Sequence, residues 1–276
     1  GASGIGYAIA EQAAIRGMNV VIADIEDVAL QSAKQKLENL GTQVLSVKTD
    51  VADPNQMQML ADTTLAEFNA VHLMVNNAGV GGVAGTFWEA NLDDWEWVIN
   101  VNMWGVIHGI RVFSKIMVEQ NTGHIINTAS VAGLMTAAGM SGYTVAKHAV
   151  VAMSEALYGE LQTAGHNVDV SVLCPSYINT NIGTSDRNRS DVMRNEESTL
   201  KKAAKEVQRK AFREKFLAED GMSPSKVAEK VFDAVEKRRF YILTHPEGTK
   251  EQVKNRINSI LNDDNPPILS SGDFPT

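Results

Sequence analysis

Cysteine is scarce in this sequence: there is one among 276 residues, and a single thiol cannot form a disulfide bond within the chain. Proteins without disulfides are typical of reducing compartments, so we expect a cytoplasmic protein. No apolar run reaches the ~18 residues that a transmembrane helix needs, and no basic and apolar leader opens the sequence. We therefore expect no membrane partner.

Basic residues are also in the minority. Lysine and arginine number 25 against 33 aspartates and glutamates, which gives a net charge of -8. The basic residues form no dominant cluster, so we expect no nucleic acid partner. The six histidines lack metal-ligand spacing, and we expect no metal site. Apolar residues make up 44% of the chain, which excludes a wholly disordered protein.

Strand-like and helix-like segments alternate along most of the chain. The strand-like segments are continuous apolar runs, which are typical of strands covered on both faces. They span 20–23, 44–47, 72–75, 125–127, 168–173 and 240–243. The pattern predicts an α/β fold, a Rossmann-like doubly wound parallel sheet with helices on both faces. Ligands bind at the carboxyl ends of the strands in such sheets.

The sequence opens inside a glycine-rich stretch, residues 1–6 (GASGIG), that leads into a predicted helix. Such a stretch normally follows a strand, so we expect the first, central strand of the sheet to be missing here. Backbone N–H groups at a helix start bind phosphate, and glycine permits its close approach. Asp24 ends the next strand, where a carboxylate can bind an adenosine ribose. Together these features favour a dinucleotide site over ordinary turns.

We expect one dinucleotide-binding catalytic domain over residues 1–262. Residues 183–222 carry no predicted strand, but apolar residues recur in them at helical spacing: Leu200, Ala203, Ala204, Val207 and Ala211. This insertion is either a substrate lid or a charged surface segment, and both interpretations stay open. Three prolines in 263–276 predict a disordered tail.

Tyr143 and Lys147 are four residues apart at the start of a predicted helix, so their side chains share one face. A free tyrosine has a pKa of ~10, and a nearby ammonium group lowers that pKa by favouring the phenolate. Such pairs are also common on protein surfaces. Here Ser130 lies thirteen residues upstream at a predicted strand end, and Asn102 follows an apolar stretch, which favours a catalytic group.

The chain resembles the short-chain dehydrogenase/reductase family, and bacterial NAD-dependent alcohol dehydrogenases within it. The resemblance covers residues 1–182 and the strand near 240. It is carried, in the family's order and spacing, by 1–6, Asp50-Val51, Asn76-Asn77-Ala78-Gly79, Asn100-Val101-Asn102, Ser130, Tyr143-x-x-x-Lys147 and 175–180 (PSYINT).

The resemblance implies a catalytic set of Asn102, Ser130, Tyr143 and Lys147. Tyr143 would be the acid and base, and Ser130 would bind the substrate oxygen. Lys147 would lower the tyrosine pKa and hold the nicotinamide ribose, and Asn102 would position a water molecule. The implied cofactor is NAD, and the residues implied to bind it are Ser3, Gly4, Ile5, Gly6, Asp24, Asp50, Val51, Asn77, Ala78, Gly79, Tyr143, Lys147, Pro175, Ile178 and Thr180.

The sequence departs from the family pattern at two positions. The first glycine of the motif, four positions before Gly4, is absent, and Ser176 stands where the family usually has glycine after the proline. The second departure affects the local backbone rather than the chemistry. Asp24 would repel the 2'-phosphate of NADP, and no basic residue adjoins it, so we expect NAD to be preferred.

The expected reaction is hydride transfer between NAD(H) and a secondary alcohol or ketone. We expect a mainly apolar, medium-sized to large substrate without an anionic group, because few positions of the predicted pocket wall carry a charge. The wall residues are Trp88, Leu134, Met135, Met140 and Tyr177. Two alternatives stay open: a sugar-nucleotide epimerase or dehydratase, which shares the Tyr-x-x-x-Lys motif, and a catalytically silent dinucleotide-binding protein.

The predicted helices at 104–120 and 143–164 are apolar on more than one face. A helix of this kind must bury its second face, against a partner if not against the core. The resemblance places a dimer contact on these two helices, so we expect a homodimer or homotetramer.

Overall fold

The computed structural model describes residues 1–82, 84–190 and 221–275. Strands and helices alternate in it, as the sequence pattern predicts. The strands are β1 (Val20–Asp24), β2 (Val44–Lys48), β3 (Leu73–Asn76), β4 (Gly123–Thr128), β5 (Val168–Cys174) and β6 (Tyr241–Leu243). The helices are α1 (Gly4–Ile15), α2 (Asp27–Glu38), α3 (Pro54–Phe68), α4 (Leu92–Ile99), α5 (Gly105–Gln120), α6 (Ser141–Ala164), α7 (Pro224–Glu236) and α8 (Pro246–Leu261).

All strand pairs in the described ranges are parallel. One ladder joins β1 to β2, and a second follows the order β3-β4-β5-β6. No described residue pairs β1 with β3. The division falls where our sequence analysis expects a central strand to be missing.

Apolar clusters formed with the surrounding helices cover the two ladders, one cluster on each face. One apolar cluster joins α1 and α7 to Val20 and Ile22 of β1, Ile126 of β4 and Leu173 of β5. The opposite cluster joins α3, α5 and α6 to Ile125, the neighbour of Ile126 in β4. Successive side chains of a strand point to opposite faces, so these clusters are the two faces of one helix-covered layer, which confirms the predicted α/β class.

Helix α6 is anchored to the sheet by apolar and polar contacts. Its buried residues Ala146, Val150, Leu157 and Leu161 recur at helical spacing on the side that faces the sheet. Between them, the hydroxyl of Ser154 accepts a hydrogen bond of 3.0 Å from the side-chain amide of Asn127 in β4. These contacts fix the position of α6 relative to the carboxyl end of β4.

A π-helix over Asn100–Trp104 separates α4 from α5. Our sequence analysis places two helical segments in this region without identifying the π turn between them. Isolated π turns within helices are frequent at functional sites.

The segment after α8 differs from our expectation of a disordered tail. It contains a short 3-10 helix, Ser271–Asp273, and Phe274 is only 6% exposed. Separately, Leu200, Ala203, Ala204, Val207 and Ala211 of the expected lid lie outside the described residues. None of the described helices is both long enough and apolar enough to cross a membrane.

Helix α6 approaches the turn after β4 so closely that only glycine is accommodated at residue 133. A Cβ atom there would lie 2.5 Å from the carbonyl oxygen of Lys147. At Gly142, by contrast, a Cβ atom would come no closer than 3.8 Å to Trp95. We therefore predict that Gly133→Ala lowers the free energy of unfolding by about 1–3 kcal/mol, because backbone must move to make room.

The matched control is Gly142→Ala, which lies inside the helix without a clash and should leave the free energy of unfolding unchanged or raise it by up to about 1 kcal/mol. Urea titrations of both variants measure the difference. Equal stabilities for the two variants would contradict this close approach of α6.

Candidate active site

A cavity of about 1030 Å³ lies at the carboxyl ends of the parallel strands. Its wall takes residues from the end of β1 and from the segments that follow β3, β4 and β5, represented by Asp24, Asn77, Ser130 and Pro175. Both ladders therefore contribute to one cleft, at the edge of the sheet where ligands of this fold class bind.

One end of the cavity is formed by the start of α1. Ser3, Gly4 and Ile5 line it, and Gly4 has a φ of +55°, which favours glycine. Gly6 lies behind the wall, where a Cβ atom would come within 2.8 Å of Nδ2 of Asn77. The unpaired N–H groups of the first helical turn make this end suitable for an anionic group such as phosphate.

Asp24 lies beside this helix start. One carboxylate oxygen accepts a hydrogen bond of 2.9 Å from the N–H of Ala2, and the other accepts one of 3.1 Å from the N–H of Glu26. The carboxylate thus fastens the glycine-rich turn to the end of β1. Asp24 also lines the cavity, where it gives this end a negative charge.

The predicted adenine-side and central residues line the cavity too. They are Asp50, Val51, Asn77, Ala78 and Gly79. The side-chain oxygen of Asn77 accepts a hydrogen bond of 3.3 Å from the hydroxyl of Thr128. This contact links the segments after β3 and β4 in the middle of the cleft.

Ser130 follows β4 and is buried at the opposite end of the cavity. Its hydroxyl accepts a hydrogen bond of 3.1 Å from the N–H of Ala132 and donates one of 3.3 Å to the carbonyl of Pro175. The hydroxyl therefore has a fixed orientation at the point where β4 and β5 end.

Lys147 projects from α6 into the same region and is 2% exposed. Its ammonium group donates a hydrogen bond of 2.8 Å to the carbonyl of Thr128 and lies 5.7 Å from the ring centroid of Tyr143. Burial lowers the pKa of Lys147 to about 8. The sequence spacing correctly predicts that Tyr143 and Lys147 share one helix face.

The pKa of Tyr143 shifts upwards in this structure, because burial disfavours the phenolate, and a hydrogen bond with Ser130 acts in the opposite direction. Our sequence analysis expects Lys147 to lower this pKa. Burial is the largest cause of the upward shift and Lys147 is not among its causes, so the expected lowering of this pKa by Lys147 stays a prediction.

Asn102 lies in the π-helix and is fully buried, so it does not line the cavity. Its amide oxygen accepts from the N–H of Val80 and its amide nitrogen donates to the carbonyl of the same residue, both at 2.8 Å. The oxygen also adjoins Gly79, since a Cβ atom there would lie 3.2 Å from it and 3.6 Å from Nζ of Lys147. Asn102 thus fixes the segment after β3 beside Lys147.

The segment after β5 completes the wall with Pro175, Ile178 and Thr180. Met222 returns to the same place, because its N–H donates to the carbonyl of Tyr177 at 3.0 Å and its carbonyl accepts from Asn179 at 3.0 Å. The segment between Thr180 and Met222 therefore leaves and rejoins the described fold beside Ile178.

The 3-10 helix over Asn181–Asn188 also lines the cavity; it includes the first residues of the expected insertion, whose individual contacts our sequence analysis does not predict. Arg187 donates a hydrogen bond of 2.6 Å to the carboxylate of Glu26, and this contact lowers the pKa of Glu26. The hydroxyl of Ser185 accepts one of 2.9 Å from the N–H of Gly81. These contacts join residues that are far apart in the sequence, so no local sequence pattern predicts them.

The expected apolar wall is only partly correct. Met140 and Tyr177 line the cavity, but Leu134 and Met135 do not, and Trp88 is 84% exposed. Additional wall residues are Trp97, Arg189, Ser271 and Phe274. Arg189 forms a buried ion pair of 2.6 Å with Asp94. The wall thus includes a cation that the sequence analysis does not place there, although its charge is paired.

Cys174, the last residue of β5, is fully buried behind the cavity. Burial raises the pKa of its thiol to about 12, so the thiol is protonated at neutral pH. Across the described ranges, no group of three or more His, Cys, Asp or Glu side chains is arranged to hold a metal ion.

Comparison with known proteins gives consistent matches. A family model described as short chain dehydrogenase matches residues 1–191. A solved short chain dehydrogenase/reductase from Burkholderia phymatum in complex with NAD is 43% identical, with a TM-score of 0.88 over 96% of this chain and 93% of that one.

Two relatives extend the comparison. A CLA biosynthesis dehydrogenase/reductase from Lactiplantibacillus plantarum is 32% identical over 97% of this chain and 93% of that protein. A cyclohexanol dehydrogenase from an Acinetobacter species is 33% identical over 64% of this chain and 70% of that protein. The family match spans most of the chain and includes Ser130, Tyr143 and Lys147, and the chain therefore belongs to the short chain dehydrogenase family.

Proposed function

We propose that the protein transfers a hydride between a secondary alcohol or ketone and NAD(H). One observation carries the proposal: Ser130, Tyr143 and Lys147 lie at one end of a single cavity whose other end is formed by the start of α1 and by Asp24. The related cyclohexanol dehydrogenase is named for a secondary alcohol, and the Burkholderia structure contains NAD. Both support the same reaction class.

The described residues suit a dinucleotide. The N–H groups at the start of α1 would bind the pyrophosphate, Asp24 the adenosine ribose, and Asp50 and Val51 the adenine. Asn77, Ala78 and Gly79 would contact the middle of the molecule. Pro175, Ile178, Thr180, Tyr143 and Lys147 would surround the nicotinamide end. An oxidised nicotinamide bound there would supply the hydride acceptor and a positive charge at this end.

Tyr143 is the proposed acid and base. In the oxidative direction its phenolate oxygen takes the proton of the substrate hydroxyl while a hydride leaves the carbinol carbon. The hydroxyl of Ser130, which lines the same cavity as Tyr143, would hold the substrate oxygen. Lys147 places a positive charge near the phenol, and this charge favours the phenolate against the burial that raises its pKa.

Asn102 has a different proposed role, because it lies behind the wall rather than on it. Its contact with Val80 holds the segment after β3. A water molecule beside Asn102 and Lys147 would connect the tyrosine to the solvent, as the family resemblance implies.

The proposed substrate is mainly apolar and of medium to large size. Trp97, Met140, Tyr177 and Phe274 supply apolar surface to the cavity. We propose that 183–222 forms a lid over it, within a single catalytic domain of residues 1–262, because the segment departs and returns beside Ile178. The charged surface insertion remains the alternative for this segment.

The dehydrogenase is the better supported of the functions considered. A sugar-nucleotide epimerase or dehydratase shares the Tyr-x-x-x-Lys motif but has a larger substrate domain. A catalytically silent protein would have no need of the complete set of Ser130, Tyr143 and Lys147. We also propose a cytoplasmic homo-oligomer.

The reaction is tested by following NAD reduction with a panel of secondary alcohols. We predict turnover of mainly apolar alcohols and, in Tyr143→Phe, a loss of kcat at the upper end of the ~100-fold to 10,000-fold range typical of acid–base catalysis. Affinity for NAD should be retained, because the ring remains. Tyr158→Phe on the exposed side of α6 is the matched control. Activity of Tyr143→Phe within tenfold of the unmodified protein would contradict the assignment.

Cofactor preference follows from the charge of Asp24. The 2'-phosphate of NADP would lie beside this carboxylate, and Arg187, which lines the same cavity, is already paired with Glu26. We predict that kcat/KM with NAD exceeds that with NADP by about 10-fold to 100-fold, equivalent to about 1.4–2.8 kcal/mol. Asp24→Asn should narrow this ratio. A ratio of one or less in the unmodified protein would show that Asp24 does not select the cofactor.

Assembly follows from apolar side chains on the outer faces of α5 and α6. Trp104 directly precedes α5, and Val145 and Tyr158 lie on α6; all three are exposed in the single chain. We predict a dimer or tetramer by light scattering at micromolar concentration, and a shift towards monomer in Val145→Asp, because burying an unpaired carboxylate is costly. Val28→Asp, on the exposed face of α2, should leave the mass of the oligomer unchanged. A monomeric unmodified protein would overturn the prediction.

A further inference from the structure

The segment after α8, residues 269–275, packs against the substrate end of the cavity. The carbonyl of Leu269 accepts a hydrogen bond of 2.9 Å from the N–H of Ala138. Asp273 then accepts from both the N–H and the hydroxyl of Ser270, at 2.7 and 2.8 Å, and caps the short 3-10 helix. The segment therefore has its own local structure.

Two side chains directly after β5 hold this segment in place. The hydroxyl of Ser176 donates to the carbonyl of Pro275, and the hydroxyl of Tyr177 donates to the carbonyl of Ser271. Burial raises the pKa of Tyr177 to about 12, so this hydroxyl keeps its proton at neutral pH. Both anchors lie within two residues of Ile178, a proposed neighbour of the nicotinamide.

Ser176 provides one of the two anchors, a role that the sequence alone does not show. It stands where the resembling family usually has glycine, and glycine has no side chain that could hold Pro275. The departure at residue 176 and the placement of 269–275 are therefore linked in this chain.

The two anchors bring Phe274 to the wall near the reacting groups. Phe274 is 6% exposed and packs in one apolar cluster with Val131, Met135 and Tyr177. Val131 directly follows Ser130, and Phe274 lines the same cavity as Ser130 and Tyr143. An aromatic ring thus borders the space beside the proposed hydride-transfer position.

We infer that Phe274 is a specificity-determining residue, whose ring binds the larger apolar substituent of the carbinol carbon, and that Ser176 and Tyr177 are positioning residues that hold it there. The substrate class is a secondary alcohol or ketone that bears a cyclic or aromatic group, because such a group gains the most from contact with an aromatic wall. The inference rests on the proposed function.

The first test compares a bulky alcohol, 1-phenylethanol, with a small one, 2-propanol. In Phe274→Ala we expect kcat/KM for 1-phenylethanol to fall by about 10-fold to 100-fold, the size of effect given by one large apolar contact. The value for 2-propanol should change less than threefold, and affinity for NAD should stay the same. Ile268→Ala, on a neighbouring side chain that is 96% exposed, is the matched control and should change neither.

The second test concerns the anchors. Ser176→Gly restores the usual family residue and removes only the hydroxyl contact to Pro275. We expect it to raise KM for 1-phenylethanol more than it lowers kcat, and to have little further effect when combined with Phe274→Ala, because both changes act through the same ring. Tyr177→Phe should behave in the same way. Urea titration of each variant verifies that it folds.

The results separate this inference from the proposed function. If the unmodified protein oxidises the panel of alcohols and Phe274→Ala changes the values for both alcohols equally, or changes neither, the inference is wrong and the function stands. If the unmodified protein oxidises no alcohol, the function fails. Calorimetric titration of acetophenone into the NADH-loaded protein then decides the inference: weaker binding in Phe274→Ala than in Ile268→Ala supports it, and equal or absent binding overturns it.

Discussion

One hydrogen bond, from the ammonium group of Lys147 to the carbonyl of Thr128 at 2.8 Å, joins α6 to the end of the cleft where we propose that the reaction takes place. Lys147 belongs to α6 and Thr128 is the last residue of β4, so the bond joins the helix to the carboxyl end of the sheet. Tyr143 lies one turn earlier on that helix, and Ser130 lies two residues beyond Thr128. The relative positions of the hydroxyl, the phenol and the ammonium group therefore depend on this contact, at the cost of burying a charge.

Segments distant in sequence from the motifs that form the floor of the cleft supply the rest of its wall. At the helix-start end, Arg187 contacts Glu26, and in the middle Ser185 contacts Gly81. At the reacting end, Ser176 and Tyr177 hold residues 269–275. The floor comes from the ends of parallel strands and suits the part of the reaction common to many substrates. The cover comes from irregular segments, which can change without disturbing the sheet.

Local sequence patterns predict the floor of the cleft, but they do not predict the segments that cover it. Continuous apolar runs predict the strands, and the spacing of Tyr143 and Lys147 places both on one face of α6. The position of Phe274 depends on contacts with Tyr177 and Ser176 nearly one hundred residues away, and its proline-rich surroundings resemble a disordered tail. The direction of the Tyr143 pKa shift also requires the structure, because it depends on how deeply the phenol is buried, and only coordinates show that.

The lone thiol of Cys174 provides an internal probe of this architecture. It is the last residue of β5, fully covered and protonated at neutral pH, so a thiol-modifying reagent can react only after the strand loses its cover. Because the chain contains no second cysteine, every modified molecule reports the same event. The rate of chemical labelling under native conditions thus measures how often the core opens directly beneath the cleft, with no engineered label.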